Sequence, residues 1–181
     1  MNIVDSILKM TGSVTKKPNL SPRPLSQSSR VRAEVGKKFQ SAVVAQAMQA
    51  IDILIKADKT IVNFQDNHGR TGLMIASIAG SVDVVKVLVF NDADVNICDK
   101  FGVSPLLVAA THRNFDVCDI LLRAEADPTL ASKTWGAIPI DYLYDHCPKT
   151  DFELSVMVRM FKGVDINRGF KYGDAIFETI K

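Results

Sequence analysis

Asp66-Asn67-His68-Gly69-Arg70-Thr71-Gly72-Leu73 and Asp99-Lys100-Phe101-Gly102-Val103-Ser104-Pro105-Leu106 are two copies of one pattern, offset by 33 residues. The correspondence continues through Ala76 and Ala109, Val84 and Val117, Leu88 and Leu121, and Asp94 and Asp127. A fixed period of this size marks a supersecondary unit that buries its apolar face by stacking on copies of itself.

Each copy reads as turn, helix, turn, helix. Asn67-His68-Gly69 is a turn, because glycine supplies the positive φ that a tight turn demands. Thr71 is placed to cap a short helix with Leu73, Ile75 and Ala76 on its apolar face, and Gly80-Ser81 ends it. Val84, Val85, Val87 and Leu88 carry the spacing of a second helix, closed by Asn91-Asp92-Ala93-Asp94. In the second copy Pro105 falls in the first helical turn, where its missing N–H costs nothing.

These residues resemble the ankyrin-repeat family, whose unit runs Gly-x-Thr-Pro-Leu-His, Ala-Ala, Gly, Val-x-x-Leu-Leu and Gly-Ala-Asp-Val-Asn. The matching segments are Gly69 to Met74, Gly102 to Leu107, Asp92-Ala93-Asp94-Val95-Asn96 and Glu125-Ala126-Asp127-Pro128. Met74, Leu107 and Asp141 replace the usual histidine, and Arg113 replaces the glycine between helices in the second copy. The resemblance implies an all-α ankyrin-repeat solenoid of about three full repeats with degenerate terminal caps.

Working outward, residues 41–65 align as a degenerate amino-terminal repeat. Val43, Val44, Ala47, Met48, Ile51, Leu54 and Ile55 keep helical spacing, and with no glycine to divide them one longer helix is expected. Residues 66–98 and 99–131 are the two clear repeats. Residues 132–168 form a third, with its register slipped by one: Trp135-Gly136-Ala137-Ile138-Pro139-Ile140 matches Phe101 to Leu106 displaced by 34. An insertion around His146 to Asp151 lengthens the loop between its helices. Residues 169–181 begin a fourth unit and stop, so Ile176, Phe177 and Ile180 are expected to shield the last full repeat.

The first 40 residues differ in character, with eight basic residues against two acidic ones, a balance of +6, while the rest of the chain carries −4. Ser, Pro and charge dominate, and three readings compete: a disordered leader, an arm that orders on a partner with an acidic surface, or an organelle-targeting leader. Basic residues without interleaved aromatics offer no stacking platform, so no specific nucleic-acid binding is expected. The apolar runs are too short for a membrane span. Cys98, Cys118 and Cys147 are odd in number and lack metal-ligand spacing, which points to a reducing compartment, the cytoplasm by default, with a nucleus or organelle left open.

No phosphate loop, dinucleotide fingerprint, zincin motif or nucleophile elbow is present, and His146-Cys147 are mere neighbours along a loop. No catalysis, cofactor or metal is expected. The resemblance places protein partners in a concave groove lined by hairpin tips and first helices. The residues before the tip glycines are His68, Phe101, Trp135 and Tyr172, one ring at one equivalent position in each unit. Asn67, Arg70, Lys100, Val103 and Ala137 flank this ladder, and Thr111 and His112 complete the candidate surface. Rigid rings beside cations suit a protein interface, although the same rings could simply stack and stiffen the row of turns.

Two functions follow: an adaptor or inhibitor gripping a protein in the groove, with the basic arm as a second contact, or a permanent structural subunit of a large cytoskeletal or organellar assembly. The resemblance further makes Asn63 and Asn96 candidates for hydroxylation.

Overall fold

The structure, a computed structural model of the chain, describes residues 27–134, 136–143, 148–162 and 164. Its α-helices are α1 (Gln27–Val44), α2 (Met48–Ala57), α3 (Gly72–Ala79), α4 (Val82–Phe90), α5 (Pro105–Thr111), α6 (Phe115–Arg123) and α7 (Asp151–Met160). Short 3-10 turns occupy Lys59–Asn63 and Pro139–Tyr142, and no strand occurs among the described residues.

The helices stack in two layers. The first helices α1, α3 and α5 pack in succession, followed by the Pro139–Tyr142 turn; α4, α6 and α7 form the second layer behind them. Equivalent residues fill equivalent core sites: Leu73, Leu106 and Ile140 are all buried under the first layer, and Leu88, Leu121 and Met160 under the second. Each such side chain withdrawn from water contributes about 1.5–3 kcal/mol, so the stack is held mainly by neighbouring units sharing one core.

Local capping follows the sequence. Thr71 Oγ1 accepts from Met74 N at 3.3 Å, and Ser104 Oγ accepts from Leu107 N at 3.2 Å. Gly80 closes α3 in the left-handed region, and Arg113 takes the equivalent position after α5 with φ +56°. A non-glycine residue there costs roughly 1–2 kcal/mol, offset by the packing on either side.

Three expectations need correction. The amino-terminal unit is two helices: Gln46, with φ +53°, supplies the left-handed turn that glycine supplies elsewhere. Its first helix starts at Gln27, so the folded unit reaches well into the basic segment drawn as 1–40. Phe39 and Val43 anchor that helix in the core, the Phe39 ring lies over Gly72 where a Cβ would stand 2.9 Å away, and Gln40 Nε2 donates to Arg70 O at 2.8 Å. Third, the first helix of the last unit is reduced to a 3-10 turn. Asp141 Oδ2 accepts from Ile138 N at 2.8 Å, which caps the start of that turn.

Side-chain bridges tie the units together. Asn63 Oδ1 accepts from Asp94 N at 2.9 Å, and Asn96 Oδ1 accepts from Asp127 N at 2.8 Å, one unit onward. Asn114 Nδ2 donates back to Ser77 O at 2.8 Å, joining the start of α6 to the end of α3. The residue in that place one unit earlier is Ser81, whose buried hydroxyl has no partner. Beside it lies a cavity of about 380 Å³ lined by Gln46, Met48 and the segment from Ala79 to Val84. Serine is too short to make the bridge that asparagine makes.

Candidate functional site

The tips are built by one carboxylate each. Asp66 Oδ1 accepts from His68 N at 2.8 Å and Arg70 N at 2.9 Å; Asp99 Oδ1 accepts from Phe101 N at 2.8 Å and Val103 N at 2.9 Å. Both tips also close through the backbone, Asp66 N to Arg70 O and Asp99 N to Val103 O, each at 3.0 Å. Three N–H donors of each turn are thereby satisfied, and the aspartates are spent inside their own tips.

The third tip departs from this. Ser132 stands where the others have aspartate, and Ser132 N donates to Ala137 O at 2.9 Å, five residues on instead of four. The one-residue slip in the sequence is therefore an enlarged tip. It leaves the row intact.

Successive tips are hydrogen-bonded to each other. Lys100 N donates to His68 O at 3.1 Å, and Lys133 N donates to Phe101 O at 2.8 Å. The carbonyls in this ladder belong to the residues just before the tip glycines, so His68 and Phe101 occupy equivalent places in one row. Glycine is needed because the next tip comes so close: a Cβ on Gly69 would stand 3.0 Å from Lys100 N, and one on Gly102 3.0 Å from Lys133 N.

Of the candidate residues, Asn67, His68, Arg70, Lys100 and Phe101 are exposed on this row, Phe101 with 58% of its surface free. Val103 is half-buried. Thr111 and His112 are exposed at the end of α5, where Thr111 Oγ1 donates to Leu107 O at 2.8 Å and His112 Nδ1 lies 2.9 Å from Val108 O. Ala137 is only 1% exposed, so it is a core residue of the third tip and offers no contact surface. Trp135 and Tyr172 lie outside the described residues, as do His146, Cys147 and the segment 165–181.

Lys133 and Thr134 were missed by the sequence reading and are exposed on the third tip. The signal was available, since Lys133 stands one period after Lys100, but the slipped register drew attention to Trp135–Ala137. Ile78, at the end of α3, adds an exposed apolar side chain one period before Thr111.

Electrostatically, Arg70 is neutralised by Asp66, Nε to Oδ2 at 2.9 Å and Nη2 to Oδ2 at 2.8 Å. Burial pushes the Asp66 carboxyl up, but the Arg70 and His68 N–H groups and the guanidinium outweigh it and hold the group below its ordinary range. Asp119 on α6 behaves alike: burial is outweighed by hydrogen bonds from Arg159 of α7 and Arg123, and the carboxyl is held low. Asp119 thus pins the last helix to the stack. Burial pushes the Cys118 thiol up to about 12, which makes it inert. Among the described residues no three His, Cys, Asp or Glu side chains gather to hold a metal, and no helix is long and apolar enough to cross a membrane.

Comparison with known proteins agrees with this architecture. A family model described as ankyrin repeats (3 copies) matches residues 39–132, just over half of the chain. The human (Homo sapiens) protein named Ankyrin repeat domain-containing protein 29 is 38% identical over 47 residues, 26% of this chain. The match covers 16% of that relative's length.

Proposed function

The chain belongs to the ankyrin-repeat family, and we propose that it is a non-catalytic adaptor or inhibitor which binds a protein partner along the tips and first helices. Ankyrin repeats generally mediate protein–protein interaction, and the family is typically non-catalytic. The observation that carries the reading to this face is the hydrogen-bonded tip row, which holds Phe101, His68 and Lys100 exposed on a rigid backbone. Because the turns are fixed by Asp66 and Asp99 before any partner arrives, little ordering entropy remains to be lost on binding. A half-exposed phenylalanine beside cations is the kind of anchor that dominates interface energetics.

The basic segment before Gln27 is a second contact in this reading, for a partner with an acidic surface. The reading places the protein in the cytoplasm, a setting that the free thiols of Cys98 and Cys118 suit.

Affinity capture from cell extract tests it with three baits: the full chain, Phe101→Ala with Arg70→Ala, and Phe90→Ser, which changes the 87% exposed ring at the end of α4 instead. The tip variant loses a partner that the Phe90 variant keeps. Equal retention by both variants, with unchanged circular dichroism, contradicts the proposal.

A further inference from the structure

Charge is sorted between the two layers. The first helices and tips (27–44, 65–81, 98–114 and 130–143) carry eight basic and four acidic residues, whereas the second helices and their loops (45–64, 82–97, 115–129 and 148–164) carry seven basic and eleven acidic. The balance is +4 on one side and −4 on the other. None of the four acids on the first side stands alone at the surface. Asp66 and Asp99 are bound within their tips, Asp141 is buried, and Glu34 is paired with Lys38 at 3.0 Å.

The tips also differ in order. The first is neutral, with Arg70 held by Asp66. The second has Lys100 beside an aspartate already occupied by two backbone N–H groups. The third has Ser132 in place of the acid, so Lys133 stands without a counter-charge in its tip. Neither Lys100 nor Lys133 forms an ion pair with a described residue, and both are exposed. The first two tips are therefore formally neutral and the third carries one net positive charge. Lys133 N bonded to Phe101 O holds the backbones of the second and third tips at a fixed spacing, with Phe101 between the two lysines in sequence.

From this we infer that the partner presents an acidic polypeptide segment that runs along the tip row, with carboxylates over Lys100 and Lys133 and an apolar side chain against Phe101. The inference rests on the groove reading above and adds the chemistry of its ligand. Matching a positive face with a negative segment steers encounter and fixes orientation, and the unbalanced charge of the third tip gives the segment one preferred direction. A nucleic acid would also be attracted to cations, but the row offers one described phenylalanine where a strand needs a run of stacking rings.

The test uses the full chain and three fluorescent probes: a short glutamate-rich peptide with a central leucine, the same peptide with glutamine for every glutamate, and a short oligothymidylate. Fluorescence anisotropy is expected to show saturable binding of the glutamate peptide, weakened about ten-fold by Lys100→Glu with Lys133→Glu, weakened also by Phe101→Ala, and unchanged by Lys86→Glu on α4. The corresponding double glutamine variant gives a smaller loss. No saturable binding of the glutamate peptide, equal binding of the glutamine peptide, tighter binding of the oligothymidylate, or indifference to the double reversal each overturns the inference. If the double reversal leaves a captured partner bound while Phe101→Ala releases it, the acidic segment is refuted and the groove reading stands.

Discussion

Gly102→Ala strikes the ladder at its centre. Gly102 holds φ at +76°, where an alanine costs about 1–2 kcal/mol. Its new Cβ would lie 2.7 Å from Lys133 Cγ and 3.0 Å from Lys133 N. The lysine side chain can swing aside, but the backbone nitrogen cannot move without lengthening the 2.8 Å bond to Phe101 O, which contributes roughly 1 kcal/mol. Together the loss is about 2–3 kcal/mol. Urea denaturation followed by circular dichroism measures it, and amide hydrogen exchange at Lys133 locates it. Gly102→Asn, which tolerates the left-handed region better but carries the same Cβ, should recover part of the loss. A loss under about 0.5 kcal/mol for alanine, or unchanged protection at Lys133, would show that successive tips are not in contact through Gly102.

Three other outcomes are expected. Asn96→Ala removes the acceptor for Asp127 N and should cost about 1–2 kcal/mol, with the loss of exchange protection concentrated around Asp127; uniform loss across the chain would speak against a local bridge. Ser81→Asn supplies the amide that Asn114 provides one unit later, fills part of the neighbouring cavity, and should raise stability by about 1 kcal/mol in the same urea assay. Asp66 and Asp119 have folded pKa values below their unfolded ones, so their stabilisation is present above the ordinary carboxylate value near 4 and is lost as pH falls through the lower folded values. The melting temperature should therefore drop steadily on acidification, less steeply in Asp119→Asn, and parallel curves for the two proteins would remove Asp119 from that role.

The sequence exposed the repeat because stacking demands the same small and apolar residues at the same offset, and that constraint is visible as Gly69 and Gly102 or Leu73 and Leu106. What it hid were positions where a different residue meets the same geometric need. Gln46 and Arg113 adopt left-handed backbone that composition assigns to glycine, so the break between α1 and α2 left no letter behind. The α1 helix was masked by its charged surface, although Val35, Phe39, Ala42 and Val43 keep helical spacing on its buried side. Within the site, the equivalence of His68 and Phe101 was readable from register alone. The burial of Ala137 was not, because it depends on the enlarged third tip, and the loss of the tip acid at Ser132 became meaningful only once Asp66 and Asp99 were seen to bind their own turns.

The partner is proposed to lie on the tips and first helices. Cross-linking of the captured complex with a lysine-reactive reagent, read by peptide mass spectrometry, tests it directly, because lysines stand on both sides of the stack. Links to the partner are expected from Lys100 and Lys133 on the tips, with Lys56 and Lys86 on the second helices unlinked. Links concentrated at Lys56 and Lys86, with Lys100 and Lys133 free, would contradict the account.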